Sequence, residues 1–309
     1  MSERRHRNLE RRCAHGLLST LVLCAASTLA RAAPVDELPP LTVPASQAEY
    51  PGKMVWAELV TPDLPGCERF YASLFGWTFS DLRLGRTTYS LARLDGEPVA
   101  GLIGRSLPRG ERRHPAWLTF LSVRSVPAAE RAVIAHRGRV LVEPRRYPQR
   151  GEQAVFADPQ GAVFAVLHSA SGDPPDLLAA PGQWIWSVLL TANTEAAASF
   201  YRGVLDYRIY AVPSEGAATH FVLASDRYAR AALDPLPADG RERHPHWLDF
   251  VRVTDVEAAV KRATALGGRV LVAPRVDRHG GRLALIADPA GAAIGVLEWS
   301  QSSETGSVK

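Results

Sequence analysis

The sequence predicts an α+β protein in which one domain occurs twice. Residues 115–168 align without a gap on residues 245–298, and 25 of the 54 aligned positions are identical. Each copy also alternates short β-rich runs with amphipathic helical runs. The composition, 46% hydrophobic and 22% charged, is that of a globular protein. Self-similarity at one fixed interval indicates two domains of the same fold.

The repeat divides the chain of 309 residues into six segments. In order these are an export signal (1–32), a Pro-rich lead (33–50), domain 1 (53–169), a linker rich in Gly, Asp and Pro (171–182), domain 2 (183–299) and a polar tail (301–309). Domains of about 115 residues lie in the usual size range. We therefore expect each copy to bury a core of its own.

The first half of domain 1 predicts one β-α-β-β-β unit. Residues 54–61 form the first predicted strand, and Asp63 is the predicted N-cap of the helix that follows. Aromatic and aliphatic residues at helical spacing mark the buried face of that helix, which we expect to end at Gly76. The runs TTYSLARL (87–94) and PVAGLIG (98–104) predict further strands.

The second half of domain 1 repeats this unit, and domain 2 repeats the whole. The predicted elements are a strand at 117–123, a helix near 126–137 ending at Gly138, and strands at 139–143, 153–157 and 162–168. In domain 2, Asn193 and Asp255 are the predicted N-caps, and Gly267-Gly268 closes the second helix. Its middle strands are expected around residues 220–225.

The N-terminus predicts export. An Arg-rich start leads into the apolar run LLSTLVLCAASTLA (17–30), and Ala30-Arg31-Ala32 offers an A-x-A cleavage site before Ala33. We expect a periplasmic or secreted protein; the alternatives are an N-terminal anchor and a cytosolic disordered tail. The sequence does not decide between general and twin-arginine export, nor does it decide on a lipid anchor. Only Cys67 remains after cleavage, so no internal disulfide is expected.

The charge distribution argues against nucleic acid and anionic membranes as partners. The formal net charge is +4, and residues 1–32 carry all of it with six Arg and two Glu. The remaining chain is neutral and offers no electrostatic attraction for polyanions. The export signal also contains no apolar stretch long enough to span a bilayer.

Several motifs appear in the same order in both copies. Each has a first strand followed by a capped helix with Phe-Tyr (Phe70-Tyr71 and Phe200-Tyr201), a hydrophobic strand, a helix ending at Gly, and a final strand after Asp-Pro-x-Gly (158–161 and 288–291). This order resembles the vicinal oxygen chelate superfamily of glyoxalases, bleomycin-resistance proteins and extradiol dioxygenases. The resemblance covers both domains. It implies curled mixed sheets that form clefts, with the two domains paired inside one chain, and hence a monomer.

The resemblance also implies a divalent metal held by His, Glu or Gln, but the matching positions carry other side chains. These positions are Trp56 and Trp186, residues near Gly101 and Ala231, Leu118 and Leu248, and Ala165 and Gly295. None of these side chains ligates a metal ion. We therefore expect no cofactor; the alternative is one divalent ion bound by ligands elsewhere.

The concave faces carry the candidate ligand-binding residues. They are Trp56, Glu58, Leu118, Phe120, Trp186, Leu248 and Phe250. The aromatic members could stack a planar ligand, or they could belong to the core or to the domain interface. Glu58 is the only catalytic candidate, as a general base or orienting acceptor; otherwise it faces water or pairs with an Arg. Loop histidines His114, His244 and His246, with Arg145 and Arg275, are interpreted as structural.

The predicted function is metal-independent binding of a small apolar or aromatic molecule. Two alternatives remain open: a divalent-metal lyase, isomerase or dioxygenase, and a scaffold without ligand. Whether the protein is an enzyme stays undecided, because the family's metal positions hold non-ligating side chains. The sequence does not identify the ligand or show whether both clefts are open.

Overall fold

A computed structural model describes residues 37–84, 87–106, 115–213, 219–237, 244–276 and 281–299. The predicted export signal and the polar tail therefore lie outside the described residues. Within these ranges, none of the helices has the length and apolar character that crossing a membrane requires.

Domain 1 contains two β-α-β-β-β units that share one sheet of eight strands. Its elements are β1 (Met54–Thr61), α1 (Leu64–Phe75), β2 (Thr78–Leu84), β3 (Thr87–Leu94), β4 (Glu97–Gly104), β5 (Ala116–Ser122), α2 (Val126–Ala135), β6 (Arg139–Tyr147), β7 (Gly151–Ala157) and β8 (Val163–Ser169). The strand order is β2-β3-β4-β1-β5-β8-β7-β6. The antiparallel pair of β1 and β5 joins the two units, and parallel pairs (β1–β4 and β5–β8) flank it.

Domain 2 repeats this architecture. Its elements are β9 (Trp184–Thr191), α3 (Thr194–Leu205), β10 (Arg208–Val212), β11 (His220–Ser225), β12 (Tyr228–Pro235), β13 (His246–Arg252), α4 (Val256–Ala265), β14 (Arg269–Val276), β15 (Arg282–Ala287) and β16 (Ala293–Glu298). The order β10-β11-β12-β9-β13-β16-β15-β14 is that of the first sheet. The predicted α+β fold with two mixed sheets is confirmed.

The predicted helix boundaries follow from capping. Asp63, Asn193 and Asp255 accept hydrogen bonds from backbone N–H groups three residues ahead, as expected of N-caps. Gly76 ends α1 in the left-handed conformation, with φ of 77°. Strand β2 was not identified from its sequence, TFSDLRL, because most of its side chains are solvent-exposed and no apolar alternation marks it.

The helix-covered cores are shared between the domains, which corrects the expectation of two separate cores. One core joins α1 and its strands to α4 and the strands of the second half of domain 2. The other joins α2 and its strands to α3 and the first half of domain 2. Each sheet therefore belongs to one domain, whereas each helix layer combines halves of both.

Two reciprocal contacts explain the repeated Asp-Pro-x-Gly motif. The carboxylate of Asp288 accepts a hydrogen bond from the Tyr71 hydroxyl at 3.0 Å, and that of Asp158 accepts one from the Tyr201 hydroxyl at 3.3 Å. Each Asp also accepts backbone N–H bonds from its own turn. Both copies of the motif therefore fix a turn and tie it to the Phe-Tyr helix of the other domain.

The strand register corrects one predicted position. Glu58 on β1 lies opposite Gly101 on β4, whereas Val188, the counterpart of Glu58 on β9, lies opposite Ala232 on β12. The middle strands of domain 2 therefore lie 131 residues after their counterparts in domain 1, whereas the other repeated elements lie 130 residues after theirs. Ala231 consequently faces the shared helix core and Ala232 faces the cleft, because neighbouring strand residues point to opposite faces.

Candidate functional site

The concave faces bring the predicted ligand-binding residues together. In domain 1, Trp56 lies opposite Phe120, which in turn lies opposite Ala165. In domain 2, Trp186, Phe250 and Gly295 form the equivalent row. We call these faces, with the strands that flank them, the first cleft and the second cleft.

The first cleft is filled by the chain's own lead segment. Leu38 and Leu41 are 3% and 4% exposed and belong to one apolar cluster with Trp56 and Phe120. The two aromatic side chains are themselves 2% and 1% exposed. In this structure they form a core with the lead, whose side chains occupy the concave face between them.

Hydrogen bonds hold the lead in place. Arg150 donates through Nε to the Pro39 carbonyl at 2.8 Å, and its guanidinium lies 4.0 Å from the centre of the Trp56 ring. The Leu41 amide donates to Ser171 Oγ at 3.1 Å. The Tyr50 amide donates to the Asp173 carboxylate at 2.7 Å. Arg150 was not predicted from the sequence, because it stands in a polar turn; in the structure it is buried against the lead and Trp56.

Glu58 is buried beneath the lead, so the interpretation that it faces water is wrong. Its carboxylate accepts a hydrogen bond from the Tyr89 hydroxyl at 2.9 Å. Burial raises the pKa of Glu58, and the Tyr89 hydroxyl and the nearby Arg150 cation partly offset this effect. A carboxylate with a raised pKa could act as a base, but Glu58 has no access to a ligand here.

The second cleft is open and encloses a cavity of about 250 Å³. Its wall is mostly apolar and aromatic; it comprises Trp186, Val188, Val212, His220, Phe221, Val222, Ala232, Asp234, Phe250, Arg275, Val276, Leu283 and Leu297. Trp186 and Phe250 were predicted to lie here. Leu248, also predicted, belongs to the same apolar cluster as Phe250.

A polar pair on the middle strands was missed by the sequence analysis. His220 Nδ1 lies 2.7 Å from Asp234 Oδ1, and both side chains line the second cleft. Because of the 131-residue offset they correspond to Tyr89 and Ile103 in the first cleft. The one available signal was a histidine at the start of the run HFVLAS. Arg275, which was interpreted as structural, also lies in the cleft wall.

The described residues of the clefts do not fit a metal ion of the kind that the family resemblance implies. The first-strand, second-unit and final-strand positions carry Trp56, Leu118 and Ala165 in domain 1 and their non-ligating counterparts in domain 2. His220 and Asp234 supply two ligand types, but within the described ranges no third His, Cys, Asp or Glu converges with them. Protein metal centres usually need three or four such ligands.

One acidic group in the described part of the chain has ligand-like spacing, but it lies outside both clefts. It consists of Asp255, Glu257 and Glu298 at the start of α4. Asp255 caps the helix, Glu298 accepts from the Val256 amide, and Glu257 pairs with Arg282. Each of the three carboxylates at the start of α4 therefore has a hydrogen-bond or ion-pair partner.

Two of the three loop histidines, His244 and His246, lie within the described residues. His246 Nδ1 contacts the His244 carbonyl at 2.9 Å, which is a local loop contact. His114 falls outside the described residues. The interpretation of His244 and His246 as structural stays a prediction.

Both halves of the chain match known families. Residues 53–166 match the Glyoxalase/Bleomycin resistance protein/Dioxygenase superfamily, and residues 186–297 match a glyoxalase-like domain. The protein CFP32 of Mycobacterium bovis, provisionally named a glyoxylase, is 30% identical over 82% of this chain and 97% of its own. The anthracycline biosynthesis protein DauV of a Streptomyces species is 32% identical over 80% of this chain and 94% of its own.

Solved structures share the fold at low sequence identity. The Mn(II)-bound glyoxalase from Novosphingobium aromaticivorans aligns with a TM-score of 0.57 and 17% identity, over 81% of this chain and 83% of its own. The 2,3-dioxygenase LapB from a Pseudomonas species aligns with a TM-score of 0.57 and 14% identity, over 82% of this chain and 94% of its own.

Proposed function

The chain belongs to the glyoxalase, bleomycin-resistance and dioxygenase superfamily, and on that premise we propose that it binds one planar aromatic molecule, without a metal ion, in its second cleft. The observation that carries this proposal is the asymmetry of the clefts. The second cleft is open and lined by Trp186 and Phe250, whereas the lead fills the first. One ligand per chain is therefore expected.

The chemistry of the second cleft favours a flat, oxygen-bearing aromatic ligand. Trp186 and Phe250 provide faces on which an aromatic ring can stack, and such contacts add to the gain from apolar burial. The His220–Asp234 pair and Arg275 place a few polar groups in the apolar wall, which is the usual means of orienting a ligand. The relatives named for anthracycline biosynthesis support a fused-ring molecule of this class.

Titration with 1,8-dihydroxyanthraquinone tests the proposal. We expect saturable binding of one molecule per chain, measured by tryptophan fluorescence and calorimetry, with an unchanged Kd after treatment with EDTA. Trp186→Ala should weaken binding at least about tenfold, because it removes a cleft wall. The matched variant is Trp56→Ala, in the filled cleft, which should lower stability and leave Kd within about twofold of the wild-type value. If Trp56→Ala does not fold, Phe120→Leu serves as the matched variant instead.

The rival function, a divalent-metal enzyme, predicts a different result in the same experiments. Elemental analysis of the protein comprising residues 33–309 would then find one tightly held divalent ion per chain, and EDTA would abolish binding. That result would overturn the metal-free proposal and would direct mutagenesis to His220 and Asp234. Failure of any aromatic probe to bind would favour the scaffold alternative.

We also propose that the protein is exported and processed between Ala32 and Ala33. The Arg-rich start, the apolar run and the A-x-A site support this proposal. N-terminal sequencing of the protein recovered outside the cytoplasm should begin at Ala33. Recovery of the intact N-terminus from the cytosol would contradict it.

A further inference from the structure

We propose that a groove beneath the linker is the outer half of the second-cleft site and holds the far end of an elongated, fused-ring aromatic ligand. This inference rests on the proposed function and adds the size and class of the ligand. The linker groove has a volume of about 520 Å³. Its wall includes Lys53, Asp176, Leu177, Trp184, Tyr228 and Arg230.

The linker groove and the second cleft are adjacent and share part of their walls. Trp186, Val222 and Leu297 line both of them. A molecule stacked on Trp186 in the cleft can therefore extend outward into the groove along the same wall.

The volumes accommodate a ligand that uses both parts. Small-molecule sites usually enclose about 300–1,000 Å³. The cleft alone, at about 250 Å³, falls below that range, and the groove of about 520 Å³ brings the combined site well within it. A ligand longer than three fused rings fits this space better than a compact one.

The groove collects exposed apolar side chains in one place. Leu177 is 79% exposed, Tyr228 is 53% exposed and Leu178 is 40% exposed. Trp184 and Trp299 add aromatic surface to the same wall. Large apolar side chains that gather around a groove are typical of a binding surface, because water contact alone does not stabilise them.

Polar groups at one wall specify the chemistry of the ligand's outer end. Asp176 Oδ1 lies 3.0 Å from Lys53 Nζ and 2.7 Å from Arg230 Nη1. The second guanidinium nitrogen of Arg230 and the second carboxylate oxygen of Asp176 have no hydrogen-bond partner among the described residues. Lys53 and Arg230 are both hydrogen-bond donors, which favours carbonyl, hydroxyl or carboxylate oxygens on the ligand.

The linker is held as a fixed wall. Arg252 donates to the Ala179 carbonyl at 2.7 Å, and Lys53 donates to the Pro174 carbonyl at 2.6 Å. The groove is therefore formed before a ligand arrives, so that its binding does not require ordering of the linker.

Two probes of different length test the inference. The short probe is 1,8-dihydroxyanthraquinone, which the cleft can hold alone. The long probe is a tetracyclic anthracycline aglycone, which extends a similar ring system by an oxygen-substituted fourth ring. The variants Leu177→Ser and Tyr228→Ser change exposed side chains of the groove and leave the core intact. Ile134→Ser, at a 58% exposed position on α2, is the matched control.

We expect both groove variants to raise the Kd of the long probe at least about tenfold and to leave the Kd of the short probe within about twofold. Ile134→Ser should change the Kd of neither probe. The inference is overturned if the groove variants leave the long probe unaffected while the short probe still binds, a result that preserves the proposed function. If neither probe binds the wild-type chain, both proposals fail.

Discussion

Thr119 and Asp249 occupy equivalent positions of the two domains and meet between β5 and β13. Thr119 Oγ1 donates to the Asp249 carboxylate at 2.7 Å, and Ser187 Oγ donates to its other oxygen at 2.6 Å. Asp249 is 2% exposed, and burial raises its pKa to about 6 despite the two hydroxyl donors. The interface is thus asymmetric at its centre, with a carboxylate on one side only.

Asp249 makes stability depend on pH in a predictable direction. Its pKa is about 6 in the folded chain against 3.8 for a solvated aspartate. Between these values the unfolded chain loses the proton while the folded chain keeps it, so the free energy of unfolding falls as pH rises. The loss reaches about 3 kcal/mol above pH 6. Between pH 4 and pH 7, the free energy of unfolding of Asp249→Asn should therefore rise by about 3 kcal/mol relative to that of wild type.

Urea unfolding of both proteins at several pH values measures this difference. A constant offset between Asp249→Asn and wild type from pH 4 to pH 7 would contradict the assignment. Other buried carboxylates titrate in both proteins and cancel in the comparison.

Tyr71→Phe should lower the free energy of unfolding by about 1–3 kcal/mol. The substitution removes the hydroxyl that donates to Asp288 and that accepts from Trp117 Nε1 at 3.0 Å, so two buried polar groups lose a partner. Thermal or urea unfolding measures the loss. Tyr228→Phe, at an exposed position, is the control and should be neutral. Equal stability of all three proteins would show that the cross-domain bond contributes nothing.

At the scale of elements, the lead segment decides which cleft is available. Residues 37–50 lie outside the repeat, yet Leu38 and Leu41 complete the apolar layer of the first cleft. Hydrogen bonds to Ser171 and Asp173, just after β8, attach the lead along its length. One extra segment thereby makes two similar domains unequal.

Leu41→Ala should destabilise the protein by about 2–5 kcal/mol, because it leaves a void between the lead and the sheet. Val43→Ala, at a 64% exposed position two residues away, should cost less than about 0.5 kcal/mol. Urea unfolding at one pH compares the two variants. Similar small effects for both would mean that the lead does not pack on the first cleft in solution.

At the scale of the whole molecule, the two domains share their helix-side cores. Phe200 approaches Gly138 of domain 1, and Phe70 approaches Gly268 of domain 2, so closely that a Cβ at either glycine would lie 3.0 Å or less from the ring. Glycine at these two positions allows the helices to pack across the domain boundary. The monomer expected from this pairing within one chain stays a prediction.

Residues 183–299 expressed alone should not give a stable monomer. The apolar faces of α3 and α4, which pack against domain 1 in the full chain, would face water. Size-exclusion chromatography with light scattering should find a dimer or aggregates, whereas the chain from residue 33 to 309 should be monomeric. A folded monomer of residues 183–299 would contradict the shared-core arrangement.

The sequence alone determined the repeat, the four β-α-β-β-β units, the helix caps and the concave rows of aromatic residues. Each of these rests on local patterns: an N-cap such as Asp63 acts within one turn, and strand alternation places Trp56 and Phe120 on one face. The Asp-Pro-x-Gly turns were evident as motifs, although their cross-domain contacts were not.

Only the tertiary structure decided which cleft is open and which polar groups line it. The lead fills the first cleft through contacts more than 100 residues apart in sequence, such as that between Pro39 and Arg150. His220 and Asp234 face the second cleft because β11 and β12 together are shifted by one residue relative to β9 and β10, compared with the first domain. Such contacts arise from packing between distant segments, and no local pattern encodes them.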